Sequence, residues 1–231
     1  MSTAPAHDLS AERSLGLYVH LPWCVRKCPY CDFNSHPLRG EVPAKDYIEA
    51  LLNDLDQWTG SVEQRAVTSV YFGGGTPSLF SGSEIASLLA GIASLVDLPG
   101  DAEVTLEANP GTVERDSFRA YRKAGVNRVS LGVQSFDEPA LQKLGRIHGR
   151  ADIERSLQSL ERAGMDNFNI DLMFGLPGQS LEAALEDVQR ALSAGPAHIS
   201  HYQLTLEPNT AFAQDPPSLP GDEDCWDMQA A

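Results

Sequence analysis

"LGLYVHLPWCVRKCPYCDFNSH", Leu15 to His36, frames the reading of this 231-residue chain. Its first seven residues contain β-branched, aromatic and aliphatic side chains, and predict a strand over 15–21. A polar loop follows with Cys24, Cys28 and Cys31, three of the four cysteines. Next comes a predicted helix over 44–58, with Tyr47, Ile48, Leu51, Leu52 and Leu55 at helical spacing. Strand, functional loop, helix is the unit that the rest of the chain repeats.

Further strands are predicted at 66–72, 102–108, 126–133, 167–174 and 198–206. Gly73-Gly74-Gly75 is expected to stop the second, Asn109-Pro110-Gly111 the third and Gly175-Leu176-Pro177-Gly178 the fifth. Ser81 with Glu84 predicts a capping box for a helix to about Val96. Thr112 is read as the cap of a helix ending near Gly125. Helices are also predicted over 152–163 and from Ser180 to about Leu192, with a looser segment after the fourth strand. Six β-then-α units in series predict an α/β fold, a partial (β/α)6 TIM-like barrel. Residues 1–14 read as a flexible leader and 15–206 as the core. Residues 207–231, rich in Pro and Asp, read as a loop that starts a truncated C-terminal region, so the chain is expected to be a fragment.

The formal charge is −15 and no basic run is present, which argues against nucleic acid as a partner. The leader lacks a basic and an apolar stretch, so it is no secretory signal. No run of about 18 apolar residues predicts a transmembrane helix. A cytoplasmic, reducing setting is expected, where clustered cysteines serve metals or catalysis rather than disulfides.

Three chemistries compete for the cysteine loop. Cys28-Pro29-Tyr30-Cys31 is spelled like a glutaredoxin dithiol, but that leaves Cys24 unexplained. Zinc would take the three thiolates with His20 or His36. A [4Fe–4S] cluster held by C-x3-C-x2-C would keep one iron open for a ligand. Polar residues at the other strand ends, Glu107, Gln134, Asp171 and Thr205, fall where barrel sites sit. Taken singly, Glu107 reads as solvated, Gln134 as a loop residue, Asp171 as part of a buried network, and Arg146 as a surface ion pair. His148, His198 and His201 match no metal spacing, and Cys225 reads as a bystander thiol in the acidic tail.

The motifs "YVHLPWCVRKCPYCDFNSH", "YFGGGTPS", "LEANPGT", "LGVQSF", "LGRIHGR", "NIDLMFGLPGQS" and "HYQLTLEPNT" occur in order from about residue 15. Together they resemble the oxygen-independent coproporphyrinogen oxidase-like family of the radical S-adenosylmethionine (SAM) superfamily. The resemblance implies a [4Fe–4S] cluster on Cys24, Cys28 and Cys31, with SAM chelating the open iron. It implies SAM contacts from Tyr18, Tyr30, Gly74, Gly75, Thr76, Glu107, Gln134, Arg146 and Asp171, and from the backbone at Thr205. It also implies an external electron donor such as a flavodoxin, which would drive cleavage of SAM to methionine and a 5′-deoxyadenosyl radical. The coproporphyrinogen oxidases carry a further cysteine two residues after the third, where this chain has Phe33. That departure sets the chain apart from the decarboxylases and resembles the haem-chaperone branch. The branch implies haem as a ligand, haem-requiring respiratory proteins as acceptors, and a haem-binding segment beyond residue 231.

Overall fold

Alternation along each strand decides how the sheet is used. In β1 (Leu15–Leu21), β4 (Val67–Gly74), β5 (Glu103–Ala108), β6 (Arg128–Gln134) and β7 (Phe168–Phe174), every second residue through the strand centre is apolar, while the edge strand β8 (His198–Gln203) adds Ile199 to that face. Val70, Phe72, Val104, Leu106, Val129, Leu131, Ile170 and Leu172 make one face and are buried. The intervening positions are Tyr18, His20, Tyr71, Thr105, Glu107, Arg128, Ser130, Asn169, Asp171, Ser200 and Tyr202. A two-residue side-chain period puts this set on the opposite face. A closed (β/α)8 barrel fills its interior with layers of Val, Ile and Leu. Here the corresponding face is polar, which leaves it to ligands rather than to packing.

The computed structural model describes residues 14–61, 65–111 and 117–231. The expected helix cap at Thr112, and all of the leader but its last residue, lie outside the described residues. All six strands are parallel, in the order β1-β4-β5-β6-β7-β8, so the predicted (β/α)6 arrangement is present and β1 and β8 are its edges. The helices are α1 (Ala44–Trp58), α2 (Gly82–Leu95), α3 (Phe118–Ala124), α4 (Glu138–Lys143), α5 (Arg150–Ala163) and α6 (Leu181–Ser193). Their apolar stripes cover the apolar sheet face: Leu88 and Ile92 of α2, Phe118 and Tyr121 of α3, and Ile153 and Leu160 of α5 join the same core as Phe72 and Leu131. Burying each such side chain stabilises the fold by roughly 1.5–3 kcal/mol.

The helix signals read from sequence hold where they fall on described residues. Ser81 Oγ accepts from the Glu84 backbone at 3.3 Å, and Glu84 Oε2 accepts from the Ser81 backbone at 2.6 Å. Gly125 and Gly164 end α3 and α5 in the left-handed conformation.

Several expectations are corrected. Gly73 and Gly74 continue β4 instead of stopping it. β8 ends at Gln203, not Leu206, because the backbone leaves the β7 ladder there. The segment after β6 holds α4, capped by Asp137 Oδ2, which accepts from Ala140 at 3.0 Å. Residues 207–231 are not a loop but carry α7 (Ala211–Gln214) and α8 (Asp222–Ala230). Cys225 is therefore no tail thiol: with Met228 it packs α8 against Phe174 and Ala184. Composition misled here, because the prolines fall outside the two short helices and Asp222 and Asp224 sit in the first turn of α8, where acidic residues are favoured.

Candidate iron–sulfur and nucleotide site

The cysteine loop is held from three sides. Within it, two short strands pair in parallel, β2 (Trp23–Cys24) and β3 (His36–Pro37), and the Cys31 amide donates to the Cys28 carbonyl at 3.2 Å. Lys27 Nζ donates to the carbonyls of Phe33 and Ser35 at 2.9 and 3.2 Å. From the sheet, the Gly75 amide donates to the Leu21 carbonyl at 2.8 Å and the Thr76 amide to the Trp23 carbonyl at 2.7 Å. From the C-terminal side, the Phe212 amide donates to the Pro29 carbonyl at 3.0 Å.

This loop roofs a cavity of about 620 Å³, a size typical of small-molecule sites. Cys24, Cys28 and Cys31 all line it, all as free thiols. So do Tyr30, Gly74, Gly75, Thr76, Glu107, Gln134, Arg146, Asp171 and Thr205. Of the site residues read from sequence, only Tyr18 does not line it. Tyr18 is 57% exposed and sits on β1, stacked on Tyr71, with its hydroxyl 3.2 Å from His20 Nδ1.

Each strand end fixes its polar group by a local bond. Glu107 accepts from the Tyr71 hydroxyl at 2.9 Å and from the Gly74 amide at 3.2 Å. Burial pushes its carboxyl above the ordinary value, against the pull of those bonds, so it is not the solvated group that strand-end position suggested. Asp171 accepts from Ser130 Oγ at 2.9 Å and Asn169 Nδ2 at 2.7 Å, and burial raises its pKa too. Gln134 stands at φ 70°, rare for a residue with a side chain, where the β6 ladder shifts register. Asp187 of α6 steadies the turn beyond it, accepting from Ser135 Oγ and the Phe136 amide, each at 2.7 Å. Thr205 is exposed and donates to Glu207 Oε1 at 2.8 Å.

Arg146 departs most from its reading taken singly, as a surface ion pair, and lines the cavity as the resemblance implied. It is no surface residue: it lies half-buried beneath the cysteine loop, with Nε shut from solvent. Nη1 points at Cys28 Sγ at 3.5 Å and at the Tyr30 hydroxyl at 3.3 Å. Nη2 donates to the Gly132 carbonyl at 3.0 Å and to Asn109 Oδ1. Buried Nε has no acceptor among the described residues.

Tyr71, Asn109, Ser130, Ser200 and Tyr202 also line the cavity, and sequence reasoning passed over them. Only the register of the parallel strands identifies their shared face. His148 is buried, with Nε2 on the Val133 carbonyl at 3.2 Å, and burial pulls its pKa down to about 4.

The donor set fits an iron–sulfur cluster with a zwitterionic ligand. Three thiols share a rim with two carboxylates, amide groups and a guanidinium that has one donor to spare. Among the described residues, no three Cys, His, Asp or Glu side chains gather tightly enough to hold a single ion. A cluster asks less, because each thiolate binds a different iron.

The chain also has relatives among known proteins. The Heme chaperone HemW of Escherichia coli (strain K12) is 55% identical over 214 residues, which cover 93% of this chain and 57% of that protein. Radical S-adenosyl methionine domain-containing protein 1, mitochondrial, of Mus musculus is 42% identical, covering 91% of this chain and 48% of its own length. Among solved structures, coproporphyrinogen III oxidase (HemN) from Escherichia coli, described as a radical SAM enzyme, matches with a TM-score of 0.85 and 29% identity over 95% of this chain and 51% of that one. The chain thus spans about half the length of the relatives it matches. Residues 18–191 match the radical SAM superfamily, and the chain belongs to that superfamily.

Proposed function

We propose that this chain is the cluster- and SAM-binding core of a haem chaperone, a protein that binds haem and delivers it to haem-requiring proteins. The observation that carries the reading is the cysteine loop itself. Its three thiols face one cavity, and Phe33, 61% exposed, stands where the coproporphyrinogen oxidases have a further cysteine. The 55% identity to a haem chaperone, against 29% to the oxidase, supports the same branch. Cys24, Cys28 and Cys31 would hold a [4Fe–4S] cluster, which with SAM on its open iron supplies reductive cleavage of the sulfonium.

The chain's own groups would do the rest. Glu107, desolvated and already ordered by Tyr71 and Gly74, would accept from the ligand's ammonium. Asp171, Gln134 and the backbone at Thr205 would position the nucleoside. The loop, closed down by Gly75, Thr76 and Phe212, would keep water and oxygen from the thiolates. Residues 207–231 would lead into the further length that the relatives possess, where haem would bind. We place the protein in the cytoplasm, served by an external electron donor such as a flavodoxin. Among the described residues, no helix is long and apolar enough to cross a membrane.

Anaerobic reconstitution tests the core of this reading: about four irons and four sulfides per chain are expected, with a visible absorbance that dithionite bleaches. One zinc per chain, or no metal, overturns it. Stoichiometric haem binding by the full-length protein, without decarboxylation of coproporphyrinogen III, distinguishes the chaperone from the oxidase.

A further inference from the structure

Two arginines join the cysteine loop to the segment after α4. Arg26 Nη2 donates outward from the loop to the carbonyls of Gly145 and Arg146, the latter at 3.1 Å. Arg146 reaches back under the loop to Cys28 Sγ. Both fasten the loop, yet they differ in what they touch. Arg26 is exposed at the edge of the same cavity, and its hydrogen bonds go to carbonyl oxygens rather than to sulfur. Arg146 is half-buried, with Nε shut from solvent, is always cationic, and meets a proposed iron ligand at 3.5 Å.

That placement has an electrostatic consequence. A cluster that accepts one electron becomes more negative by one charge. A cation in a low-dielectric position near its thiolate stabilises the electron-rich state more than the electron-poor one. An N–H donor on the ligating sulfur works in the same direction, because it withdraws charge from the thiolate. No bond forms or breaks, and the proton stays on the guanidinium.

We infer that Arg146 sets the reduction potential of the cluster through its Nη1–H on the Cys28 sulfur, an inference that rests on the cluster reading above. Arg146 is in this sense a positioning residue: it acts on the iron through Cys28. Its second donor edge, on Gly132 and Asn109, keeps the guanidinium from turning away from the sulfur.

The test is a dithionite titration of anaerobically reconstituted protein without SAM, followed by electron paramagnetic resonance, on wild type, Arg146→Gln, Arg146→Lys and Arg26→Gln. Arg146→Gln is expected to lower the ratio of reduced to oxidised cluster at a fixed potential about tenfold, equivalent to about 59 mV more negative. Arg146→Lys keeps the charge without the fork and is expected to fall between. Arg26→Gln loosens the loop and removes a solvent-screened charge with no N–H on sulfur, and is expected to shift the potential clearly less than Arg146→Gln. Unchanged potentials in both Arg146 variants overturn the inference. An equal shift in Arg26→Gln also overturns it, because loop anchoring then explains the effect. So does loss of cluster from both Arg146 variants, which would make the residue a strut. A wild-type chain that assembles no cluster instead overturns the reading beneath.

Discussion

Tyr202 donates its hydroxyl hydrogen to Gln134 Oε1 at 2.6 Å, joining β8 to β6 across the intervening β7. A bond between strands that are not neighbours requires the sheet to curl at this end. It also pins a side chain whose backbone sits at φ 70°. Backbone of this kind persists only where its surroundings hold it, and such places concentrate at ligand sites.

Tyr202→Phe removes that bond and little else. A hydrogen bond of this kind contributes about 1 kcal/mol, so SAM affinity is expected to fall roughly three- to tenfold. Iron content should be unchanged. Equilibrium dialysis with labelled SAM on reconstituted protein measures the affinity and iron analysis the metal content; unaltered affinity would remove Gln134 from the nucleotide site.

Glu107 makes the apo-protein's stability depend on pH in a defined direction. Its folded pKa lies above the ordinary 4.5, so its stabilising contribution is complete below that value and is lost as pH rises through the folded pKa. Glu107→Gln removes the ionisation. The variant's melting temperature is expected to gain on wild type as pH is raised from 4.5 toward neutrality, while its SAM affinity drops. Parallel melting curves for the two proteins across that window would contradict the assignment of a desolvated carboxylate.

Gly75 has no room for a side chain. A Cβ there would lie 2.6 Å from the Pro22 carbonyl carbon and 2.6 Å from the Trp23 carbonyl oxygen, both backbone atoms that cannot swing aside. Gly75→Ala is expected to cost about 1–3 kcal/mol and to lower cluster occupancy, since it pushes the cysteine loop off the sheet. Gly100→Ala is the control, because nothing lies within 4 Å of its added carbon. Denaturant titration of the two variants separates the outcomes.

The cysteines divide by location. Cys28→Ala is expected to abolish the cluster. Cys225→Ala should keep full iron content while losing about 1 kcal/mol of stability, since its sulfur fills space beside Phe174, Ala184 and Met228. Iron analysis and chemical denaturation of both variants check this. Equal iron in the two would refute the ligand set.

The strands, most helices and the cysteine loop were legible in the sequence because each rests on a local signal. Ser81 with Glu84, Ser180 and the glycines after α3 and α5 announce themselves within a few residues. Asp137 before Glu138-Pro139 was an equally local helix start, and was passed over because the helix it opens is only six residues long. The misread residues depend on distant partners. Arg146 looks like any polar loop residue until Gly132, Asn109 and Cys28 are brought around it. Tyr71 and Tyr202 look like ordinary strand aromatics until register turns both toward Glu107 and Gln134. Cys225 and Met228 were hidden by acidic neighbours, although their three-residue spacing marks one side of a helix.

The two-sided sheet separates durability from chemistry. Leu131→Ala on the outer side would remove about 2–5 kcal/mol and threaten the whole molecule, whereas exchanging half-exposed Tyr202 on the inner side mainly alters what the hollow will accept. A lineage built on such strands can try new cargoes, one inward residue at a time, without gambling the scaffold.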